Sequence, residues 1–238
     1  MKPKQILFFL LSIFFISCAT EDVKWPEVTP ESKPWTRWWW MGNAVDEQNL
    51  TRELEEMKRV GIGGVEITPI YGVKGEEERF IEYLSPGFAN ALNFTIQEAG
   101  RLGMGVDLPP GSGWRCGGPF VPEENGLWSL RMHKQEVKKG ETVVFPAEVA
   151  VAAASLLDEN NKVSVFNPSE SFTAPASGTV YFAERVKNRD MVKRASDGGK
   201  GWAIDTFNKE ITNWYLDEFW KRLGVDEGLI RCFFHDSF

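Results

Sequence analysis

Four short apolar runs in this sequence each carry an acid at or near their ends. They are residues 62–68 (IGGVEIT, with Glu66), 104–110 (MGVDLPP, with Asp107), 201–205 (GWAID, with Asp205) and 229–236 (LIRCFFHD, with His235 and Asp236). Carboxylates and an imidazole gathered in one place can bind hydroxyl groups, hold a cation or move protons. Each acid alone also has a structural use, since an Asp after a strand often caps the next helix or ties down a loop. Repetition at four run ends is what favours a shared site. Glu66 sits between Val65 and Ile67, where a carboxylate without a partner is costly.

Aromatic residues are the second resource. Ten Trp in 238 residues is a high count, and Trp supplies flat apolar platforms that suit sugar rings as well as cores. In the run Trp38-Trp39-Trp40, alternation puts Trp38 and Trp40 on one face of a strand and Trp39 on the other. At least one of the three must pack beneath helices, and Trp40 is expected to reach the ligand side together with Trp114. Trp114 ends the loop Pro109-Pro110-Gly111-Ser112-Gly113-Trp114, whose glycines permit close backbone approach to a ligand. The loop lacks the Lys-Ser/Thr ending of a phosphate loop. Cys116 and Cys232 are expected to be free and mostly buried, and no CxxC or HxxxH spacing supports a zinc site.

The elements that must position these residues follow from a repeated helix ending: Lys58-Arg59-Val60-Gly61, Gly100-Arg101-Leu102-Gly103 and Lys221-Arg222-Leu223-Gly224. A basic last turn followed by glycine suits the helix macrodipole and a left-handed cap. Apolar stripes precede each ending, at Leu50, Leu54 and Met57, at Phe88, Leu92, Ile96 and Ala99, and at Ile211, Tyr215, Phe219 and Leu223. The helix starts are Asp46, Ser85 with Pro86, and Asn208. With a first strand at 35–41, alternating β and α elements predict a parallel sheet of the (β/α)8 type, whose sites collect at the C-terminal strand ends. A full barrel needs about 250 residues, so the expectation is an incomplete barrel of about five strands. Residues 127–195 alternate and carry turn signals, which predicts an antiparallel β insertion after strand 3.

The divisions are therefore 1–18, 19–33, 34–126 for the first part of the barrel, 127–195 for the insertion and 196–238 for its continuation. Residues 1–18 combine a short basic start, an apolar run and Cys18, the pattern of a bacterial lipoprotein signal peptide with lipidation at Cys18. This predicts export and a lipid anchor in the outer membrane, with residues 19–33 as a tether. A net charge of −7 and scattered basic residues argue against nucleic-acid binding.

Taken together, Trp38-Trp39-Trp40, residues 53–66 (ELEEMKRVGIGGVE), Gly111-Ser112-Gly113-Trp114, the Val192-Lys193-Arg194-Ala195 segment leading to Asp205, and residues 234–238 (FHDSF) resemble glycoside hydrolase family 106, the α-L-rhamnosidase-like enzymes. The resemblance runs from about residue 34 to the last. It implies a (β/α)8 catalytic domain, an inverting mechanism with two carboxylates, an oligo- or polysaccharide substrate and dependence on calcium. It also implies that the catalytic glutamates lie beyond Phe238, so that the chain is an N-terminal fragment, inactive as given. Trp40, Glu66, Asp107, Trp114, Asp205, His235 and Asp236 are then substrate-binding candidates. The alternative is a non-catalytic, carbohydrate-binding surface lipoprotein.

Overall fold

A computed structural model describes residues 24–168, 170–226 and 228–235; Cys18 and Asp236 lie outside them. Three helices form where caps and stripes direct. In α1 (Glu47–Arg59) the Asp46 side chain accepts from the Asn49 amide at 2.9 Å. In α2 (Pro86–Arg101) the Ser85 hydroxyl accepts from Phe88 N at 3.2 Å. In α3 (Lys209–Leu223) the Asn208 side chain accepts from Ile211 N at 3.1 Å. Each helix is followed by a glycine at positive φ, Gly61, Gly103 or Gly224.

Strands β1 (Trp35–Met41), β2 (Gly64–Ile70) and β3 (Gly105–Asp107) pair in parallel in that order. Register sets Arg37 beside Glu66 and Glu66 beside Asp107. The outer face of this sheet carries Trp40, Val65, Ile67 and Val106 into a core with Leu50, Leu54, Phe88, Leu92 and Ile96. The opposite face carries Trp35, Arg37 and Trp39 of β1, Gly64, Glu66 and Thr68 of β2, and Gly105 and Asp107 of β3. The Trp35 ring lies flat across two of these positions: a Cβ on Gly64 or on Gly105 would stand 2.4 Å from it. Only glycine admits that approach, and Trp35 thereby floors the N-terminal end of this face.

Residues 231–234 extend the sheet beyond β3. Arg231 N donates to Val106 O at 2.9 Å and Phe234 N to Leu108 O at 2.7 Å, with Leu108 and Phe233 bridged in parallel. The expected parallel strand at 201–205 is corrected. β11 (Trp202–Ala203) runs antiparallel to β4 (Gly117–Gly118). Around it Gly126 bridges Ile204 and Asp205 N donates to Asn125 O at 3.1 Å. The chain returning from the insertion is thus clamped to the strand that leaves for it. Among the described residues the result is a mixed α/β fold, a parallel βαβ sheet joined to antiparallel sheets, with no closed barrel.

The alternating segment folds as β5 (Trp128–Val137), β7 (Val151–Asp158), β8 (Val163–Phe166) and β10 (Gly178–Lys187), in the antiparallel order β5-β10-β7-β8. β6 (Thr142–Val143) and β9 (Phe172–Thr173) form a separate pair. Val143, Leu156, Val180 and Phe182 give these strands a core of their own. Among the described residues no helix is long and apolar enough to cross a membrane.

Candidate functional site

A cleft of about 370 Å³, counting its open mouth, lies on the face of the parallel sheet away from the helices. Arg37, Glu66 and Thr68 form its sheet side, the loop from Pro109 to Cys116 forms one wall, and Phe234 and His235 border it. The Arg37 guanidinium donates to Glu66 Oε2 through both Nε and Nη2 at 3.2 Å, and the Thr68 hydroxyl donates to Oε1 at 3.2 Å. The partner that Glu66 requires is therefore its register neighbour on β1. Asp107 is held still more tightly. Its side chain is 7% exposed, it accepts from Arg231 Nε at 3.1 Å and from Arg231 Nη2, and the Cys232 amide donates to Oδ1 at 3.2 Å. The Asp107 carboxylate in turn holds the Arg231 guanidinium above its ordinary pKa. Arg231 also stacks on Trp35, 4.1 Å from the ring centre. The face thus carries an alternation of two carboxylates between two arginines, laid on an aromatic floor.

Two tryptophans face the mouth. Trp39 is 43% exposed and meets Trp114 at a ring separation of 5.8 Å. Arg37 stands over Trp39 at 5.4 Å, and Arg194 stands over Trp114 at 5.5 Å. The Trp114 loop is fixed from behind. Trp114 N donates to Lys193 O at 2.8 Å and Lys193 N donates back to Trp114 O. The buried hydroxyls of Ser112 and Ser196 meet at 2.7 Å. Beneath the loop, Tyr215 OH donates to the carbonyls of Pro110 and Gly117 at 2.9 and 2.7 Å. Burial pushes the Cys116 thiol up to about 12, so it stays protonated at neutral pH.

The residues singled out from sequence divide accordingly. Glu66, Asp107, Trp114 and His235 come to one face and its mouth. Trp40 does not: it is 1% exposed, edge-on to Trp38 and Phe88 in the helix-covered core, because its strand position points away from the cleft. Trp39 occupies the side expected for Trp40. Asp205 stands apart from the cleft lining, where it accepts from Phe207 N at 3.3 Å in the turn that leads into α3. Cys116 is buried as expected, whereas Cys232 is exposed because it lies on the outermost segment of the sheet; both are free thiols. Arg37 and Arg231 were missed, since only register and a contact 124 positions apart in sequence reveal them.

Calcium takes about six to eight oxygen ligands. Among the described residues no group of three or more His, Cys, Asp or Glu side chains could hold a metal ion. Glu66 Oε2 and both oxygens of Asp107 already accept from arginines, and Glu66 Oε1 from the Thr68 hydroxyl. These residues do not fit a calcium shell.

With this geometry in place, similarity to known proteins can be read. The profile of the glycoside hydrolase 106 family, described as alpha-L-rhamnosidase, matches residues 27–175. A Formosa agariphila protein, provisionally named a beta-glucuronidase, is 26% identical over 151 residues, covering 58% of this chain and 13% of that protein. The solved structure of a rhamnosidase from Novosphingobium sp. PP1Y aligns with a TM-score of 0.54 at 12% identity, over 83% of this chain and 37% of that one. That likeness is one of fold. The chain spans 13% of the length of the first relative and 37% of the second.

Proposed function

The chain belongs to the alpha-L-rhamnosidase family of glycoside hydrolases, and from that premise we propose that its cleft binds the rhamnosyl end of an α-L-rhamnoside. The observation that carries this reading is the meeting of Trp39 with Trp114, which lines the cleft together with Arg37, Glu66 and Thr68. The exposed Trp39 and the half-buried Trp114 offer indole surface to the apolar side of a sugar ring, while Arg37, Glu66 and Thr68 offer donors and acceptors to its hydroxyls.

Inverting hydrolysis needs one carboxylic acid to protonate the leaving oxygen and another carboxylate to activate water, about 6.5 to 9.5 Å apart. Glu66 and Asp107 are poor candidates for that pair. They stand side by side on adjacent strands, and every carboxylate oxygen of both accepts a hydrogen bond from the protein. On this reading they orient the sugar and its arginine donors, and neither transfers the proton. The described residues then bind an α-L-rhamnoside without cleaving it at a useful rate, which is also what a carbohydrate-binding lipoprotein would do.

The test measures calorimetric binding of a rhamnose oligosaccharide and turnover of an aryl α-L-rhamnoside by the chain and by Trp114→Ala and Glu66→Gln. Binding that Trp114→Ala weakens by about tenfold, a loss of about 1.4 kcal/mol, with no turnover, is the expected result. Turnover abolished by Glu66→Gln makes Glu66 catalytic and overturns the assignment. Export and lipid anchoring at Cys18 are proposed from the leader pattern alone. Mass spectrometry of the mature N-terminus should find acylated Cys18; an unmodified terminus elsewhere sinks that part.

A further inference from the structure

The charge at the cleft mouth runs against the charge of the protein. The chain carries a net −7, yet three arginines converge here: Arg37 and Arg115 in the lining and Arg194 over the Trp114 ring. Arg37 is matched by Glu66, and Arg115 by Asp190 at 2.8 Å. Arg194 is exposed and makes no salt bridge among the described residues. Its backbone is also held in place. It is at φ 58, its carbonyl accepts from Tyr71 N at 3.1 Å, and the preceding Lys193 exchanges backbone hydrogen bonds with Trp114. The guanidinium is thus carried by the same clamped loop pair that presents the indole face.

An exposed guanidinium without an acidic partner, beside an aromatic wall, is suited to a ligand that is flat and apolar on one side and anionic at its edge. Guanidinium recognises carboxylate and sulfate through paired N–H donors. The negative charge elsewhere on the protein makes this mouth the favourable place for an anion. We infer that the cleft selects an acidic saccharide, one carrying a carboxylate or a sulfate ester next to the sugar stacked on Trp114, and that Arg194 is the residue that reads the charge. This inference rests on the carbohydrate-binding reading above and adds the charge of the substrate to it.

The experiment titrates the chain calorimetrically with three ligands: a disaccharide of rhamnose and glucuronate, the same disaccharide with its carboxylate reduced to the alcohol, and a sulfated rhamnoside. It compares the wild type with Arg194→Gln and Arg194→Lys. The acidic or the sulfated ligand should bind about tenfold tighter than the reduced one, as for one charge-assisted contact, and the preference should shrink as salt rises. Arg194→Gln should bring acidic and neutral ligands to within about twofold, while Arg194→Lys keeps part of the preference. Whichever of carboxylate and sulfate shows the larger preference identifies the anion. Equal binding of charged and reduced ligands by the wild type overturns the inference and leaves the carbohydrate reading standing. So does a loss in Arg194→Gln that is the same for both. Binding of none of the three overturns both.

Discussion

Two tryptophans can look alike in a sequence and do opposite work, and Trp40 and Trp114 separate them. Trp40→Ala should remove about 3 to 5 kcal/mol of stability, the usual cost of emptying a buried aromatic site. Trp114→Ala should change stability by less than about 1 kcal/mol while weakening saccharide binding; urea denaturation and calorimetry on both variants check the contrast. Asp107→Ala should cost about 1 to 2 kcal/mol, since it removes the charge-assisted hydrogen bonds of Arg231 while leaving that half-exposed guanidinium open to water, and the same denaturation series reads it. At high pH the Cys116 thiol matters. Its pKa is raised by burial to about 12, so the stabilisation it reflects is complete below the thiol's unfolded value, near 8.5, and is lost as pH climbs from there toward 12. Cys116→Ala should flatten the alkaline limb of a stability-against-pH curve; an unchanged limb assigns that limb to other groups, such as the buried Tyr83 and Tyr215, whose pKa values burial also raises. At this scale the sequence was half legible. The need of Glu66 for a partner could be read from Val65 and Ile67, but Arg37 as that partner required knowing the strand register.

Among the elements, the helices were the most legible. Asp46, Ser85 and Asn208 cap where a side-chain acceptor three residues before a free amide can only cap, and such signals are local. The direction of residues 201–205 was not legible. A two-residue strand has no periodicity to reveal its partner, and here a contact with Gly117 and Gly118 decided it. Nor could Gly64 and Gly105 be read as more than strand glycines, because the ring that demands them belongs to Trp35. Gly64→Ala should destabilise by about 1 to 3 kcal/mol, the range for overpacking, while Gly64→Ala combined with Trp35→Ala should recover part of that loss, measured as a double-mutant cycle. An additive cycle would mean that Trp35 does not set the requirement for glycine.

For the whole molecule, alternation announced the β-rich insertion, and its separate core of Val143, Leu156, Val180 and Phe182 follows from that pattern. What the pattern left open was how the insertion meets the sheet it interrupts. Leu127 and Asn188 meet across its base, the Asn188 amide donating to Leu127 O at 2.9 Å. That contact bears on the order of events in folding. Arg37 and Glu66 are 29 positions apart, whereas Asp107 and Arg231 are 124 apart, a fourfold longer loop whose closure costs about 1.2 kcal/mol more in chain entropy. If the insertion folds first and pinches off at Leu127 and Asn188, the loop that remains is roughly half as long and about 0.6 kcal/mol of that cost is returned. Pulse-labelled hydrogen exchange during refolding should therefore find the amides of β10 and of β2 protected before those of Arg231 and Phe234. The arginine that grips Asp107 arrives last, and the cleft acquires its final shape only when the interruption in the sheet has already become a folded body.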